Sequence, residues 1–183
     1  MSEADTRARL RRRLKDLHAK SIENRCEKGM PDMAYIYGWL ELKWKRGWPV
    51  EKGPVQISHY TVQQRLWLRK HWKLGGRSFL GLVCNKEWLL WAGCDSWNVG
   101  HLTREELYQT CLWRSPTFNE AEFRKVITAP RLELDALREQ RGLCNLPILR
   151  DFSFPGVVAK KTNTKQRRTT AAAIIAMSNV SED

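Results

Sequence analysis

The chain has 183 residues, with 32 Lys or Arg against 20 Asp or Glu, so its formal net charge is +12 at pH 7. This length suits one domain with appendages, and the positive charge favours a polyanionic partner, nucleic acid before an anionic membrane surface. Five widely spaced cysteines without a CxxC pair indicate neither a zinc site nor a disulfide framework. Because no signal peptide or apolar run of membrane-spanning length is visible, we expect a cytoplasmic protein with no membrane partner.

The segment from Thr6 to about Cys26 has the pattern of an amphipathic helix with an apolar stripe and a basic face. The stripe consists of Leu10, Leu14 and Leu17. The simplest interpretation of the Arg and Lys residues is a solvated helix face. The alternative is that the helix lays this face on phosphate and brings a carboxylate, Glu23 or Glu27, to a functional site. These two residues lie on one helix face, so the sequence alone does not choose between them.

Two short runs rich in apolar and aromatic residues follow, Met33 to Tyr37 and Trp39 to Leu42, and Gly38 separates them. This pattern predicts a β-hairpin that turns at the glycine. Alternate side chains of a strand share a face. We therefore expect Glu41 and Lys43 to point the same way, with the residue between them in the opposite layer.

Asp32 precedes the first predicted strand, so the hairpin can bring it close to Glu41. Two neighbouring carboxylates repel each other unless a cation lies between them. Mg²⁺ suits such a site because it takes oxygen ligands and keeps waters for a substrate phosphate, and Mn²⁺ is an expected substitute. The Leu42 carbonyl is a further candidate ligand. Lys43 can orient the attacking water and stabilise charge on phosphate. These residues predict metal-dependent cleavage of a nucleic-acid backbone.

The order of these residues resembles the signature of the PD-(D/E)XK nuclease superfamily, through Pro31-Asp32 followed by Glu41-Leu42-Lys43. A longer series resembles the VRR-NUC and Holliday-junction-resolvase-like branch, which includes small phage-type endonucleases. Its members are Glu23, Gly29, Pro31, Asp32, Trp39 to Lys43, Gln64, Trp67, Gly75 and Gly76. The series runs from about Ser21 to Trp91, less than half of the chain.

The resemblance implies a restriction-endonuclease-like α/β core, with a central mixed sheet flanked by helices. It implies that Asp32 and Glu41 bind Mg²⁺, and it favours Glu23 over the other helix carboxylate as the residue that completes the metal site. Lys43 and Gln64 would organise the nucleophilic water. The implied function is a metal-dependent DNA endonuclease, with structure-specific cutting of branched DNA among its expected activities. A symmetric branched substrate would imply a homodimer, and a phage origin would place the protein in the host cytoplasm.

A second interpretation is a nucleic-acid-binding protein without catalysis. Glu41 and Lys43 would then form an exposed cross-strand ion pair. Asp32 argues against this interpretation, because two carboxylates aimed at phosphate repel it when no cation compensates them.

Basic and aromatic residues alternate in the loop after the hairpin, where Lys45 and Arg46 stand between Trp44 and Trp48. Cations beside aromatic rings suit backbone contact combined with base stacking. The alternative is that the tryptophans cover an edge of the core. We expect Lys45 and Arg46 to contact nucleic acid.

The segment Thr61-Val62-Gln63-Gln64 has the form of a capping box that starts a helix ending near Gly75-Gly76. Gln64 therefore has two candidate roles, as the N3 residue of the cap and as the glutamine that the nuclease resemblance places near the catalytic hairpin. Three cations recur along this helix and predict one basic, nucleic-acid-binding face: Arg65, Arg69 and Lys73.

Two further apolar runs, Ser78 to Val83 and Glu87 to Ala92, predict strands that are buried on at least one side. Helices are then predicted to begin at three start signals: Thr103, Asn119 and Pro130. The predicted organisation is a nuclease core at residues 1–129, a helical extension at 130–155 and a disordered basic tail at 156–183.

Overall fold

A six-stranded mixed sheet forms the centre of the protein in a computed structural model that describes residues 2–22, 29–51 and 53–145. The strands lie side by side in chain order: β1 (Lys20–Ser21), β2 (Met33–Tyr35), β3 (Gly38–Lys45), β4 (Ser78–Cys84), β5 (Glu87–Ala92) and β6 (Trp113–Ser115). Strands β3 and β4 run parallel, and the other neighbours run antiparallel. The predicted α/β class with a mixed sheet is confirmed.

Five α-helices accompany the sheet within the described residues: α1 (Glu3–Arg13), α2 (Val62–Lys73), α3 (Arg104–Thr110), α4 (Glu120–Thr128) and α5 (Arg131–Gln140). Side chains fix where four of them begin, because Ser2, Thr61, Thr103 and Asn119 each accept a hydrogen bond from the backbone N–H three residues on. The predicted helix starts at Thr61, Thr103 and Asn119 are confirmed, and α5 begins directly after Pro130. None of the helices in the described ranges is long and apolar enough to cross a membrane.

Helix α1 is much shorter than the predicted helix from Thr6 to Cys26, and that prediction is wrong beyond Arg13. A 3₁₀ turn follows at Lys15–Leu17, and His18 takes a left-handed conformation with φ of 54°. A left-handed residue cannot continue a right-handed helix. The chain then forms β1, which pairs with β2, a contact that helical periodicity does not reveal. Residues 23–28 lie outside the described part of the chain.

The predicted hairpin is present as β2 and β3, in which residues 33–35 pair with residues 38–40. Its turn consists of Ile36 and Tyr37 rather than Gly38. Gly38 is the first residue of β3, and a Cβ atom there would clash with the carbonyl oxygen of Arg77. The glycine is therefore needed for the close approach of two backbone segments rather than for the turn.

The two faces of the sheet carry separate apolar clusters. Helices α1, α4 and α5 cover one face, with Leu10, Phe123 and Leu134 in the cluster. Helices α2 and α3 cover the other face through Leu68 and Leu107. The described residues thus form a three-layer arrangement around the sheet.

Strand β3 presents polar side chains to the second of these clusters. In the register of the parallel pair, Glu41 lies beside Leu80 and Lys43 beside Leu82. Both leucines belong to the cluster under α2 and α3, whereas Leu42 points into the cluster on the opposite face. The predicted alternation along β3 is confirmed, and it places a carboxylate and an ammonium group inside an apolar layer.

Helix α5, predicted as the start of a helical extension, packs on the sheet core itself. Leu134 is buried in the first cluster, and Arg131 donates to the backbone oxygen of Trp72 at 2.6 Å. Arg138 forms an ion pair with Asp95 at 2.6 Å. The rest of the predicted extension beyond residue 145, and the predicted disordered tail, lie outside the described residues.

Candidate active site

Strand β3 extends beyond the end of its neighbour β2, and this leaves backbone N–H groups of β3 without a strand partner. The N–H of Leu42 donates instead to Oδ2 of Asp32 at 3.4 Å. The N–H of Trp44 donates to Oε2 of Glu3 at 3.3 Å. Because such groups need acceptors, the uncovered edge of β3 holds two carboxylates beside the strand.

Glu41 lies at the centre of the site and is fully buried, with 0% of its surface exposed. Its Oε1 accepts hydrogen bonds from Nζ of Lys43 at 2.6 Å and from Nε2 of Gln64 at 2.6 Å. Its Oε2 accepts a hydrogen bond from the backbone N–H of Asp32 at 3.1 Å. The structure therefore brings together Asp32, Glu41, Lys43 and Gln64, which we call the candidate active site.

The Glu41–Lys43 ion pair corrects one part of the sequence analysis. The binding-only interpretation made it an exposed cross-strand pair, but both residues belong to β3 and only 3% of the Lys43 side chain is exposed. Alternation along a single strand brings the two groups to one face. Both groups are buried in the folded protein, with Gln64 of α2 bonded to Glu41, which the local pattern does not show.

Burial raises the pKa of Glu41 from its ordinary value of 4.5 to about 7. Loss of hydration favours the neutral acid, and the nearby Asp32 carboxylate acts in the same direction. Lys43 opposes both effects but does not overcome them. The positive charge near Glu41 is therefore too small to keep its carboxylate fully ionised at neutral pH.

This raised pKa predicts a pH-dependent stability. Because folding raises the pKa of Glu41, the folded protein binds more protons than the unfolded chain between pH 4.5 and about 7. The free energy of unfolding should thus fall by about 3 kcal/mol as the pH rises through this window, and stay level above it. Chemical denaturation in EDTA from pH 4.5 to 8 measures the change.

The reference for this measurement is the double variant Glu41→Gln/Lys43→Met, which keeps the shapes but carries neither titrating group. Among the described residues, Lys43 is in ion-pair contact with Glu41, the Asp32 carboxylate acts on its pKa through charge, and Glu3 lies 4.0 Å from Nζ of Lys43. Parallel stability curves for the two proteins over this pH range would show that Glu41 does not titrate in it.

Gln64 completes the predicted capping box and also lies beside the hairpin residue Glu41, whereas its role in catalysis stays a prediction. Its Oε1 accepts a hydrogen bond from the N–H of Thr61 at 3.0 Å, and its own N–H donates to Oγ1 of Thr61 at 3.2 Å. These bonds complete the capping box of α2. Its Nε2 donates to Glu41, so the start of α2 is fastened to the candidate active site.

The two roles of Gln64 can be separated by a pair of variants. Thr61→Ala removes the cap alone, and we expect it to cost about 1 kcal/mol of stability with little change in activity. Gln64→Ala keeps the backbone N–H that donates to Thr61, but it removes the side-chain half of the capping box and the hydrogen bond to Glu41, so it should also lower the predicted rate of DNA cleavage. Thermal unfolding and single-turnover cleavage of both variants measure the two effects. Equal cleavage rates would limit Gln64 to its capping role.

Arg7 is a member of the site that the sequence analysis missed. Its Nη1 lies 2.6 Å from Oδ1 of Asp32, in an ion pair with 30% of the Arg7 side chain exposed. A signal for this contact was available, because Glu3 and Arg7 continue the helical stripe of Leu10 and Leu14 towards the N-terminus. Charged residues on the stripe that faces the sheet indicate a polar partner there.

The residues predicted to bind nucleic acid do not share one face. Arg65 is buried, with 4% exposed, and its guanidinium donates to the backbone oxygens of Trp97 and Tyr60. It therefore cannot belong to a basic surface, and this prediction is wrong. The reason is geometric, since Arg65 precedes the buried Leu68 and Trp72 by three and seven residues and shares their helix face.

The other four predicted contacts have exposed or partly exposed side chains. On α2, Lys73 is exposed and Arg69 is partly exposed, with its guanidinium 5.7 Å from the ring centroid of Trp97. At the end of β3, Arg46 is exposed, and Nζ of Lys45 donates to the backbone oxygen of Gln56 at 3.3 Å. These four remain predicted nucleic-acid contacts.

The donor set can be tested for its fit to a divalent cation. Both oxygens of Asp32 and Oε2 of Glu41 each accept one hydrogen bond among the described residues, and a carboxylate oxygen has room for about two. The Leu42 carbonyl lies on the same strand edge as its N–H, which faces Asp32. Hard oxygen ligands of this kind suit Mg²⁺ or Mn²⁺.

The balance of charged side chains at the site also fits a divalent cation. The carboxylates of Glu3, Asp32 and Glu41 face two cations, Arg7 and Lys43. Within residues 2–22, 29–51 and 53–145, no three His, Cys, Asp or Glu side chains are arranged to hold a metal. The candidates for a third carboxylate, Glu23 and Glu27, lie outside those ranges.

Comparison of the chain with protein-family models, curated proteins and solved structures finds no match. The resemblance to PD-(D/E)XK nucleases therefore stays a hypothesis that depends on the residues themselves and on the geometry described above.

Proposed function

We propose that the protein is a metal-dependent DNA endonuclease of PD-(D/E)XK type. The observation that carries this proposal is the buried Glu41–Lys43 pair, with the Asp32 backbone and Gln64 bonded to the same carboxylate. Four residues of the predicted series, Asp32, Glu41, Lys43 and Gln64, thus meet at the Glu41 carboxylate, which supports the proposal. The net charge of +12 supports a polyanionic substrate.

A purely structural role explains this arrangement poorly. Burying an ion pair usually costs as much free energy of desolvation as the attraction between the two charges provides. A protein with apolar residues of similar size in its place would be at least as stable. Leu80 and Leu82 show that this layer accepts aliphatic side chains. A buried carboxylate with a perturbed pKa is instead a common property of sites that perform chemistry.

Each side chain of the site has a proposed task. Asp32 and Glu41 would hold Mg²⁺ or Mn²⁺ with the Leu42 carbonyl, and Glu23 would complete the set. When bound, such a cation supplies a Lewis acid that polarises the phosphate and activates water. Lys43, fixed by Glu41, presents an ammonium group that stabilises charge developing on phosphate oxygen.

The binding-only alternative gives these buried groups no task. A protein that merely holds DNA needs its charges at the surface, where phosphates can reach them. Glu41 and Lys43 are buried and add nothing to such a surface contact, whereas in the nuclease proposal the metal and the phosphate would reach them from the side of the partly exposed Asp32. The exposed cations of the protein would serve a binder and a nuclease equally, so they do not decide between the two functions.

The proposal is tested by cleavage of labelled DNA in Mg²⁺, Mn²⁺ or EDTA. Linear duplex, single strand, fork and four-way junction are compared, with the Asp32→Asn variant as a matched control that keeps the shape of the side chain. We expect metal-dependent cleavage of at least one substrate and its loss in the variant. Binding of every substrate without cleavage in either metal would favour the binding-only alternative. A homodimer stays a prediction, to be checked by the protein's mass in solution.

A further inference from the structure

Three aromatic side chains lie directly beside the candidate active site. Trp39 precedes Glu41 by two residues on β3 and shares its face of the strand. Trp67 and His71 follow Gln64 by three and seven residues on α2, which places them on its helix face. We call Trp39, Trp67 and His71 the aromatic platform. The two elements that hold the site therefore also hold the platform.

The three rings are in mutual contact. Trp39 and Trp67 meet edge to face, with centroids 5.2 Å apart and an interplanar angle of 65°. Trp67 and His71 are stacked at 4.8 Å and 11°. Trp67 also packs against the core cluster under α2, so the platform has a fixed base. Partial burial lowers the pKa of His71 from its ordinary 6.5, which favours the neutral ring.

The platform is only partly buried. Trp39, Trp67 and His71 all keep some exposed surface, unlike Trp72 and Trp91, which are 2% and 0% exposed. A set of aromatic rings that served only the core would be covered in the same way. A partly exposed indole ring in a fixed position can stack with a planar ligand.

The surroundings of the platform indicate what kind of planar ligand fits. Lys70 is exposed and follows Trp67 by three residues on α2, so it lies on the platform's side of the helix. Arg69 and Lys73 line a separate pocket with Trp97. Cations beside aromatic rings attract phosphates while a base stacks. A nucleobase within duplex DNA is already stacked between its neighbours and would have to be extruded at a cost. An unpaired base meets the platform freely.

We propose that the aromatic platform stacks an unpaired nucleobase of the DNA beside the bond to be cut, so that the preferred substrate has a single-stranded segment at the site. This inference rests on the proposed nuclease function for the position of the cut, but the stacking itself does not require catalysis. It assigns Trp39 to substrate recognition.

The test measures binding in EDTA, where metal-dependent cleavage cannot occur. Fluorescence anisotropy compares a labelled single strand with a blunt duplex for the wild type, Trp39→Leu and Trp39→Phe. We expect Trp39→Leu to weaken single-strand binding about tenfold, because each stacked base contributes substantially to affinity. Duplex binding should not change, and Trp39→Phe should retain most of the single-strand affinity. Tyr37→Leu, an exposed aromatic residue at the adjacent turn, is the matched control and should bind like the wild type.

A second readout needs no variant. A single strand that contains 2-aminopurine should lose fluorescence on binding the wild-type protein, because stacking on an indole quenches this base. Single-strand binding by Trp39→Leu that equals the wild type, or an equal loss on duplex, would overturn the inference. So would unquenched 2-aminopurine at every position of the bound strand.

Failure of the platform and failure of the nuclease proposal give different results. If the wild type cleaves DNA only with metal, but Trp39→Leu binds the single strand as tightly as the wild type does, then the platform is rejected and the nuclease function is not. Single-strand binding that depends on Trp39, without cleavage in Mg²⁺ or Mn²⁺, rejects the nuclease function and leaves the stacking site intact.

Discussion

Replacing Lys43 with methionine is expected to lower the rate of Mg²⁺-dependent DNA cleavage by at least about a hundredfold. Methionine fills a similar volume but removes the ammonium group that Glu41 holds at 2.6 Å. The lost interaction acts on charge that develops during the reaction, so DNA binding should change far less than the rate. Single-turnover cleavage and binding in EDTA measure the two quantities separately.

The control for Lys43→Met is Lys125→Met, which removes an exposed lysine of α4 on the other side of the sheet. It lowers the net charge by the same amount and should cut at nearly the wild-type rate. If both variants lose activity equally, net charge rather than Lys43 explains the loss. If neither loses activity, Lys43 does not take part in the reaction.

The second large effect is on stability, and it concerns the pair rather than either residue. Removing Lys43 leaves the buried Glu41 carboxylate uncompensated, and we expect Lys43→Met to cost about 3 to 5 kcal/mol at pH 8. Glu41→Gln should cost far less, because the raised pKa of Glu41 means that the folded protein favours a neutral side chain at this position. The double variant Glu41→Gln/Lys43→Met leaves no buried charge and should recover most of the loss caused by Lys43→Met. Chemical denaturation of all four proteins gives the coupling free energy.

This cycle also separates stability from function. All three variants should lack metal-dependent cleavage, although the double variant is expected to unfold at a denaturant concentration close to that of the wild type. Additive losses of stability would contradict the buried pair as described. Recovery of cleavage in the double variant would contradict the proposed roles of Glu41 and Lys43.

The part of the site that depends on local pattern could be predicted from the sequence. Alternation along β3 placed Glu41 and Lys43 on one face, and the hairpin brought Asp32 to Glu41, because both follow from short-range strand geometry. The capping box at Thr61 likewise identified the start of α2 and the position of Gln64.

What could not be predicted depends on contacts between distant segments. The early end of α1 reflects pairing of Lys20 and Ser21 with β2, and the burial of Arg65 reflects its bond to the carbonyl of Trp97. The ion pair of Arg7 with Asp32 joins a helix to the end of a loop. In each case the spacing within one element shows at most which face of that element is covered, and the identity of the partner depends on a distant segment.

The short edge strands show the same limit. Strands β1 and β6 have two and three residues, too few for alternation to be recognised. They form because each pairs with the free edge of a neighbouring strand, β1 with β2 and β6 with β5. The apolar runs of β4 and β5 are long enough to be recognised by their composition, and their predicted bounds agree closely with the structure.

The central claim is that the site around Glu41 hydrolyses DNA with a divalent cation. Its most direct test compares wild type with Glu41→Gln, purified side by side and stripped with EDTA, with cleavage of a labelled forked DNA started by adding Mg²⁺. The account predicts no cleavage before Mg²⁺, cleavage by the wild type afterwards, and a rate at least about a hundredfold lower in the variant. Equal cleavage by the two proteins, or none by the wild type in Mg²⁺ or Mn²⁺, would contradict it.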